Sequence, residues 1–437
     1  MEEMSFYSSS LKETDPLIAN ILKRELVRQS SVLGLIASEN YVSRAVIEAQ
    51  SNILTNKYAE GYVGNRYYAG CDYVDEIEQL AIDRAKTLFE CKFVNVQPHS
   101  GSQMNQALLL AFLNPGDTIM GLELKCGGHL THGSSVNLSG MWFDFVSYGI
   151  NQSTGLIDMN EVLNLAILHK PKIIFAGTTS YPRSINWHHF REVADAVGAY
   201  LVADISHIAG LVAAKAISSP FPYCHIATTT THKSLRGPRG GIIMTNDANL
   251  FEKITAAVFP GIQGGPMAHT FAAKAVAFLE ASSYSFKEWA KSVINNAKVL
   301  SNSLSINGLS IVTGGTDNHL VLIDLKPLKL TGSIVEKALN DCYIVTNKNS
   351  LPNDKSQAIN ASGLRLGTCA VTTRGMASKQ MLEIASIISE ILIEISHNGF
   401  VSVQLESKAR KLVLQLALDF PVLYARPYPT LGINSFC

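Results

Sequence analysis

The sequence predicts an α/β protein organised on a largely parallel sheet, followed by a smaller α+β unit. Three observations predict it. From Val74 to Leu279, short apolar runs bounded by turn residues alternate with stretches whose apolar residues recur every three or four positions. After about residue 285 the strands become sparser and a long helical pattern closes the chain, Gln380 to Ile395. The chain has 437 residues, 47% hydrophobic and only 16% charged, enough apolar material for two cores.

In order, Thr14-Asp15-Pro16 reads as a helix start, a cap oxygen followed by proline in the first turn. Leu17, Ile18, Ile21, Leu22 and Leu26 then give an amphipathic helical arm. Leu35 to Tyr73 reads as a long loop rich in tyrosine and glycine after position 57, a functional loop rather than a disordered one. Ile77, Leu80, Ala81, Leu88 and Phe89 mark a helix, Phe93 to Val96 a strand, and Met104 to Phe112 a second helix. Asn114-Pro115-Gly116-Asp117 turns into the strand Thr118 to Leu122. Lys172 to Ala176 and Tyr200 to Ala203 read as strands, with helices near Phe190 to Val197 and Phe271 to Leu279. Further on, Leu309 to Val312, Leu320 to Leu325 and Tyr343 to Thr346 read as strands, and Ile334 to Leu339 as a helix. The expected division is an N-terminal arm 1–30, a large domain 31–285 and a small domain 286–437.

Charge narrows the function. Lys+Arg and Asp+Glu balance at 36 each, so there is no broad footprint for nucleic acid or an anionic membrane. No apolar run approaches the roughly 18 residues that span a bilayer. Seven scattered cysteines (71, 91, 126, 224, 342, 369 and 437) form no CxxC pair and no metal spacing. With the acidic start MEEMSFYSSS, they suggest a reducing, cytoplasmic setting.

Four stretches carry chemistry. Thr228 to Thr231 follow an apolar run and lead to His232-Lys233, then to the turn Gly237-Pro238-Arg239-Gly240-Gly241. A lysine at a strand end suits Schiff-base chemistry if its amine loses its proton; the plainer reading is a surface lysine. Ser100-Gly101-Ser102, between strand and helix, reads as a phosphate seat or as an ordinary cap. Asp204 closes the run Tyr200 to Ala203, with His207 three residues on. A carboxylate there can hold a pyridine nitrogen protonated, or can cap a helix. Arg365, in Ser362-Gly363-Leu364-Arg365-Leu366-Gly367, offers a bidentate clamp for a carboxylate. Together the four describe a pyridoxal-phosphate site for an amino acid.

The chain resembles the serine hydroxymethyltransferases along nearly its whole length. The motifs stand as LIASENY, LTNKYAEGY, RYYAGCDYVD, QPHSGSQMN, GGHLTHG, TTTTHKSLRGPRGG, FPGIQGGP, GGTDNHL, NKNSLPND and SGLRLGT. The resemblance implies an aminotransferase-like large domain with a mostly parallel seven-stranded sheet, a homodimer with shared sites, and no metal. It implies transfer of the hydroxymethyl group of serine to tetrahydrofolate, giving glycine and 5,10-methylenetetrahydrofolate. It implies that Lys233 holds pyridoxal phosphate as an aldimine, Asp204 meets the ring nitrogen and His129 stacks on the ring. His207, Thr179, Thr230 and His232 would border the cofactor, and Ser100, Gly101 and Ser102 its phosphate. Tyr58, Gly264 and Gly265 would come from the second subunit. Ser38, Glu60, Tyr68 and Arg365 would meet the substrate, with Glu60 the proton carrier and Tyr68 aiding its transfer to the cofactor. Leu124, Gly128, His129, Leu130 and Asn349 would meet folate.

Several positions depart from the pattern of this family. Thr178-Thr179-Ser180 replaces a common Ala-Ser-Ala, Leu124-Lys125-Cys126 a common Leu-Ala-His, and Gln357-Ala358-Ile359 the Ser-Pro-Phe of bacterial members. Gly34 and Cys369 differ too. The altered folate side keeps a folate-independent aldolase acting on β-hydroxy amino acids as an alternative. A non-catalytic pyridoxal-binding dimer is the alternative from another class.

Overall fold

The structure is a computed structural model that describes residues 7–352, 354 and 361–422. The arm begins as the sequence predicts. Asp15 caps helix α1 (Pro16–Ser31), accepting from the amides of Leu17 and Ile18 at 3.1 and 3.0 Å. Helices α2 (Asp72–Phe89) and α3 (Gly101–Phe112) follow, later α4 (Ala268–Ala281), α5 (Tyr284–Ile306) and α6 (Ser378–Asn398). None of α1 is buried; Leu17, Ile18, Ile21 and Leu22 stand exposed on the single chain.

Seven strands form the large sheet: β1 (Phe93–Asn95), β2 (Thr118–Leu122), β3 (Asp144–Tyr148), β4 (Ile173–Gly177), β5 (Tyr200–Asp204), β6 (Ile226–Thr230) and β7 (Gly241–Thr245). Their order is β1-β7-β6-β5-β4-β2-β3. The pairings from β6 through β5, β4 and β2 to β3 are parallel, and β7 is antiparallel to both β6 and β1. Helices cover both faces, so the strands read as continuous apolar runs rather than alternating ones. In β4, Ile173 and Phe175 pack into the cluster under α3, and Ile174 and Ala176 into the cluster on the other face.

The second core surrounds a four-stranded sheet of β8 (Ser310–Ile311), β9 (Leu320–Asp324), β10 (Asn347–Asn349) and β11 (Gly363–Gly367), ordered β8-β9-β11-β10 and antiparallel throughout. Helix α5 spans the expected boundary at 285/286: Phe286, Ala290 and Val293 pack into the first core, and Ala297, Leu300 and Leu304 into the second. The expected strand Tyr343 to Thr346 is displaced from this sheet. Its Ile344–Val345 pairs in parallel with Leu33–Gly34, so Leu33 and Leu35 pack in the second core. The chain leaving the arm is thereby stitched to the far half of the sequence, a pairing that local pattern does not encode. Among the described residues, no helix is long and apolar enough to cross a membrane.

Candidate active site

The carboxyl ends of β4, β5 and β6 open onto one cavity of about 200 Å³. Its lining includes Ser100, Gly101, Ser102, His129, Thr179, Asp204, His207, Thr230, His232 and Lys233. A parallel sheet delivers residues distant in sequence to this edge because each crossover helix returns the chain to the opposite end.

Asp204, the last residue of β5, is 7% exposed. One carboxylate oxygen accepts from Asn105 Nδ2 at 3.0 Å and contacts His132 Nε2 at 2.9 Å; the other accepts from the Ser206 hydroxyl at 2.6 Å and amide at 3.1 Å. Burial pushes this carboxyl up, but the hydrogen bond and charge of His132, His129 and the Ser206 hydroxyl hold it well below the usual carboxylate range. The helix-cap reading fails here, since the following helix Ala209–Ala213 has Ile208 at its cap. Asn105, His132 and Ser206, which hold this carboxylate, are residues that the sequence reading missed. His132 stood in the GGHLTHG motif, but nothing local told it from His129. The ring of His132 stacks on Phe175 at 4.8 Å and is thereby fixed against the carboxylate.

Lys233 leaves β6 three residues after Thr230 and donates from Nζ to the Thr230 hydroxyl at 2.7 Å. Burial lowers its pKa to about 8; Asp204 opposes the shift, and Arg239 and Arg365 add to it. The amine is therefore poised to lose a proton near neutral pH, and the surface-lysine reading fails. Ser100 caps α3, its hydroxyl accepting from the Gln103 amide at 3.2 Å. The cap and seat readings coexist, because the Gly101 and Ser102 amides lie in the first turn, where a helix offers them no acceptor. A Cβ on Gly101 would stand 2.6 Å from Thr230 Cγ2, so glycine lets α3 approach β6 closely.

Arg365 reaches the site from the second sheet. Leu364 and Leu366 pack into the second core, which turns Arg365 to the opposite face of β11. Its Nη1 donates to the Thr179 carbonyl at 2.8 Å and its Nε to Asn347 Oδ1 at 3.1 Å; burial lowers its pKa to about 10. His129 is lowered to about 4 and His232 to about 3, both chiefly by burial. Thr179 lines the cavity, and its hydroxyl donates to the Gly128 carbonyl at 2.9 Å. Ser38 lies outside this cavity, in an adjoining one of about 410 Å³ that shares His232 and also holds Arg239.

The folate-side residues are dispersed. Leu124 and Leu130 are exposed apolar residues beside Gly128 and His129, and Asn349 sits on β10. Lys125 Nζ donates to the Asp354 carbonyl at 2.6 Å, tying the 124–126 turn to the second core. Gln357, Ala358 and Ile359 lie outside the described residues.

Tyr58, Glu60, Tyr68, Gly264 and Gly265 form a separate cluster, and none lines the Lys233 cavity. Tyr58 and Tyr68 meet edge to face at 5.1 Å and are 55% and 46% exposed. A Cβ on Gly265 would stand 3.1 Å from Cζ of Tyr58, and one on Gly264 3.2 Å from Oε1 of Glu60. The single chain thus brings together the cofactor-side residues, and holds these five apart from them as one surface group.

The cavity fits pyridoxal phosphate by the chemistry of its donors. A buried ionised carboxylate matches a protonated ring nitrogen, a lysine near pKa 8 matches the aldehyde, and first-turn amides match the phosphate. His232 adds a buried Nδ1 with no hydrogen-bond partner among the described residues. The serine hydroxymethyltransferase family model matches residues 11–388 of this chain.

Proposed function

The chain belongs to the serine hydroxymethyltransferase family, and from that premise we propose that it transfers the hydroxymethyl group of serine reversibly to tetrahydrofolate. The products are glycine and 5,10-methylenetetrahydrofolate. The observation that carries this reading is the pairing of the Lys233 amine, near pKa 8, with the ionised Asp204 in one buried cavity.

When bound, pyridoxal phosphate supplies an aldehyde for amines and a ring that takes up electrons released at the α-carbon of the amino acid. Lys233 would hold its aldehyde carbon and Asp204 would face its ring nitrogen, keeping the proton there. The amides of Gly101 and Ser102, with the hydroxyls of Ser100 and Ser102, would hold its phosphate. His129, rendered neutral by burial, covers the site without adding charge. Arg365 grips the substrate carboxylate with the fork that its Asn347 and Thr179 contacts hold in place. Thr230 keeps the Lys233 amine oriented by accepting a hydrogen bond from it. Leu124 and Leu130, exposed beside Gly128 and His129, would offer apolar surface to the folate ring.

Glu60, Tyr58, Tyr68, Gly264 and Gly265 act, in this reading, from the second subunit of a homodimer, with Glu60 carrying the proton of the substrate hydroxyl. Their placement outside the cavity of their own chain supports this, as does the uncovered apolar face of α1. The six described cysteines are buried and unpaired, which suits a reducing cytoplasm.

Purified protein given serine and tetrahydrofolate is expected to form methylenetetrahydrofolate far faster than it cleaves allo-threonine. Folate-independent cleavage as fast as the serine reaction would overturn the assignment in favour of an aldolase.

A further inference from the structure

Arg66 closes a tight hairpin that begins directly after Glu60. Gly61–Tyr62 pairs antiparallel with Asn65–Arg66. Glycine is required at 61, where φ is +99° and a Cβ would stand 2.3 Å from the Asn65 carbonyl oxygen. Tyr67 and Tyr68 beside it are exposed, yet the Arg66 side chain is only 4% exposed. The hairpin folds its guanidinium back onto the residues around Glu60.

Four acceptors meet that guanidinium. Its Nη1 donates to the Ala59 carbonyl at 3.0 Å and to the Gly61 carbonyl at 2.9 Å, one on each side of Glu60. Its Nε donates to Asp75 Oδ1 at 2.8 Å, and its Nη2 pairs with Glu78 Oε2. Asp75 and Glu78 stand three residues apart on α2 and so share one face of that helix. Gln97, two residues past β1, completes the set: its Nε2 donates to Glu78 Oε1 and to the Gly61 carbonyl, both at 2.9 Å. The carbonyl of Glu60 itself accepts from the Tyr67 amide at 3.0 Å. Three consecutive carbonyls, 59 to 61, are thereby held, while the Glu60 side chain stays half-buried at the surface.

A surface loop can take such hydrogen bonds from water, and pairing charges out of water adds little net stability. What the buried pairing secures is one conformation of the backbone on both sides of Glu60. We infer that Arg66 is a positioning residue for Glu60: gripping the carbonyls that flank it from a buried ion pair, Arg66 fixes the direction in which Glu60 leaves its own chain for the Lys233 site of the second subunit. The destination rests on the shared site proposed above. Lysine at 66 would keep the charge, but it gathers three donors on one atom, which cannot span two carbonyls and two carboxylates.

Mixed dimers separate this role from a purely structural one. Arg66→Lys, Lys233→Ala and Glu60→Gln proteins are unfolded in pairs, refolded and assayed with serine and tetrahydrofolate. Alone, Arg66→Lys is expected to lower kcat/KM for serine at least about tenfold; an unchanged value overturns the inference. Mixed with Lys233→Ala, it is expected to bring activity to about one quarter of wild type. Each hybrid then has one site with Lys233 from the Arg66→Lys chain and an intact Glu60 loop from the other. Mixed with Glu60→Gln, it is expected to keep about half of its own activity, the value for dilution alone, because both hybrid sites receive an impaired loop. Recovery with Glu60→Gln instead of Lys233→Ala would show that Arg66 serves the site of its own chain. Recovery with both, or with neither, would show a structural part only, and each of these results overturns the inference. The Lys233→Ala and Glu60→Gln mixture is the control: if it regains no activity, the shared site falls and this inference with it. Should Arg66→Lys fail to refold, Arg66→Met/Glu78→Gln, which removes the buried charge of both partners, takes its place in the same mixtures.

Discussion

The Lys233 cavity and the Tyr58–Glu60–Tyr68 cluster sit on the same chain but differ in how they are held. In the cavity, Asp204 is buried under four hydrogen-bond contacts, and Lys233 is tied to Thr230. In the cluster, Tyr58 and Tyr68 are about half exposed and lean on each other, with Gly265 beside Tyr58. A buried ionisable group that is not paired costs several kcal/mol, so the cavity must be completed within the fold of one chain. Exposed tyrosines carry no such constraint and can complete another surface. The difference teaches that one half of the proposed site is preorganised by the fold and the other half by assembly.

The most severe break is expected on the preorganised side. Lys233→Ala should abolish steady-state turnover, because the amine that carries the cofactor is gone; near-normal rates would show that Lys233 is not the anchor. Arg365→Ala should raise the KM for serine by about a hundredfold, because a buried carboxylate loses its bidentate partner. An unchanged KM would place the clamp elsewhere.

A pH titration probes the same side more gently. The Lys233 pKa is lowered from 10.5 to about 8, so the fraction of free amine rises as pH rises through about 8. The rate of pyridoxal phosphate uptake by cofactor-free protein should climb over that range and level off above it. A climb centred near 10.5 would mean an amine that burial does not perturb. The mildest effect is expected at the rim. Thr179→Ala removes the hydroxyl contact to Gly128, about 1 kcal/mol of local stability, and should change kcat by less than about threefold. A larger loss would give the hydroxyl a part in the chemistry that its geometry does not support.

The same contrast explains what was legible in the sequence. Strand Thr118–Leu122 and the Asp15-Pro16 helix start are local patterns, and both stand as expected. Lys233, Asp204 and the Ser100–Ser102 turn were legible because each sits at the end of an element that the apolar pattern marks. The donors to Asp204 were not. Asn105 lies mid-helix on α3 and His132 in a loop, and only the tertiary fold brings them within 3.0 Å of the carboxylate. The parallel pairing of Leu33–Gly34 with Ile344–Val345 joins segments about three hundred residues apart, and it moved a predicted strand out of its sheet. The contact of His207 with His319 is hidden for the same reason. The burial that shifts Lys233 is likewise a property of the packed site rather than of the threonine run before it.

Subunit mixing tests the division between fold and assembly most directly. Lys233→Ala and Glu60→Gln proteins, each inactive alone, are unfolded together, refolded and assayed. If every site takes Lys233 from one chain and Glu60 from the other, each hybrid dimer regains one intact site. Half of randomly paired dimers are hybrids, so the mixture recovers about one quarter of wild-type activity. If each chain builds its site alone, every hybrid carries two defective sites and the mixture stays as inactive as its parents.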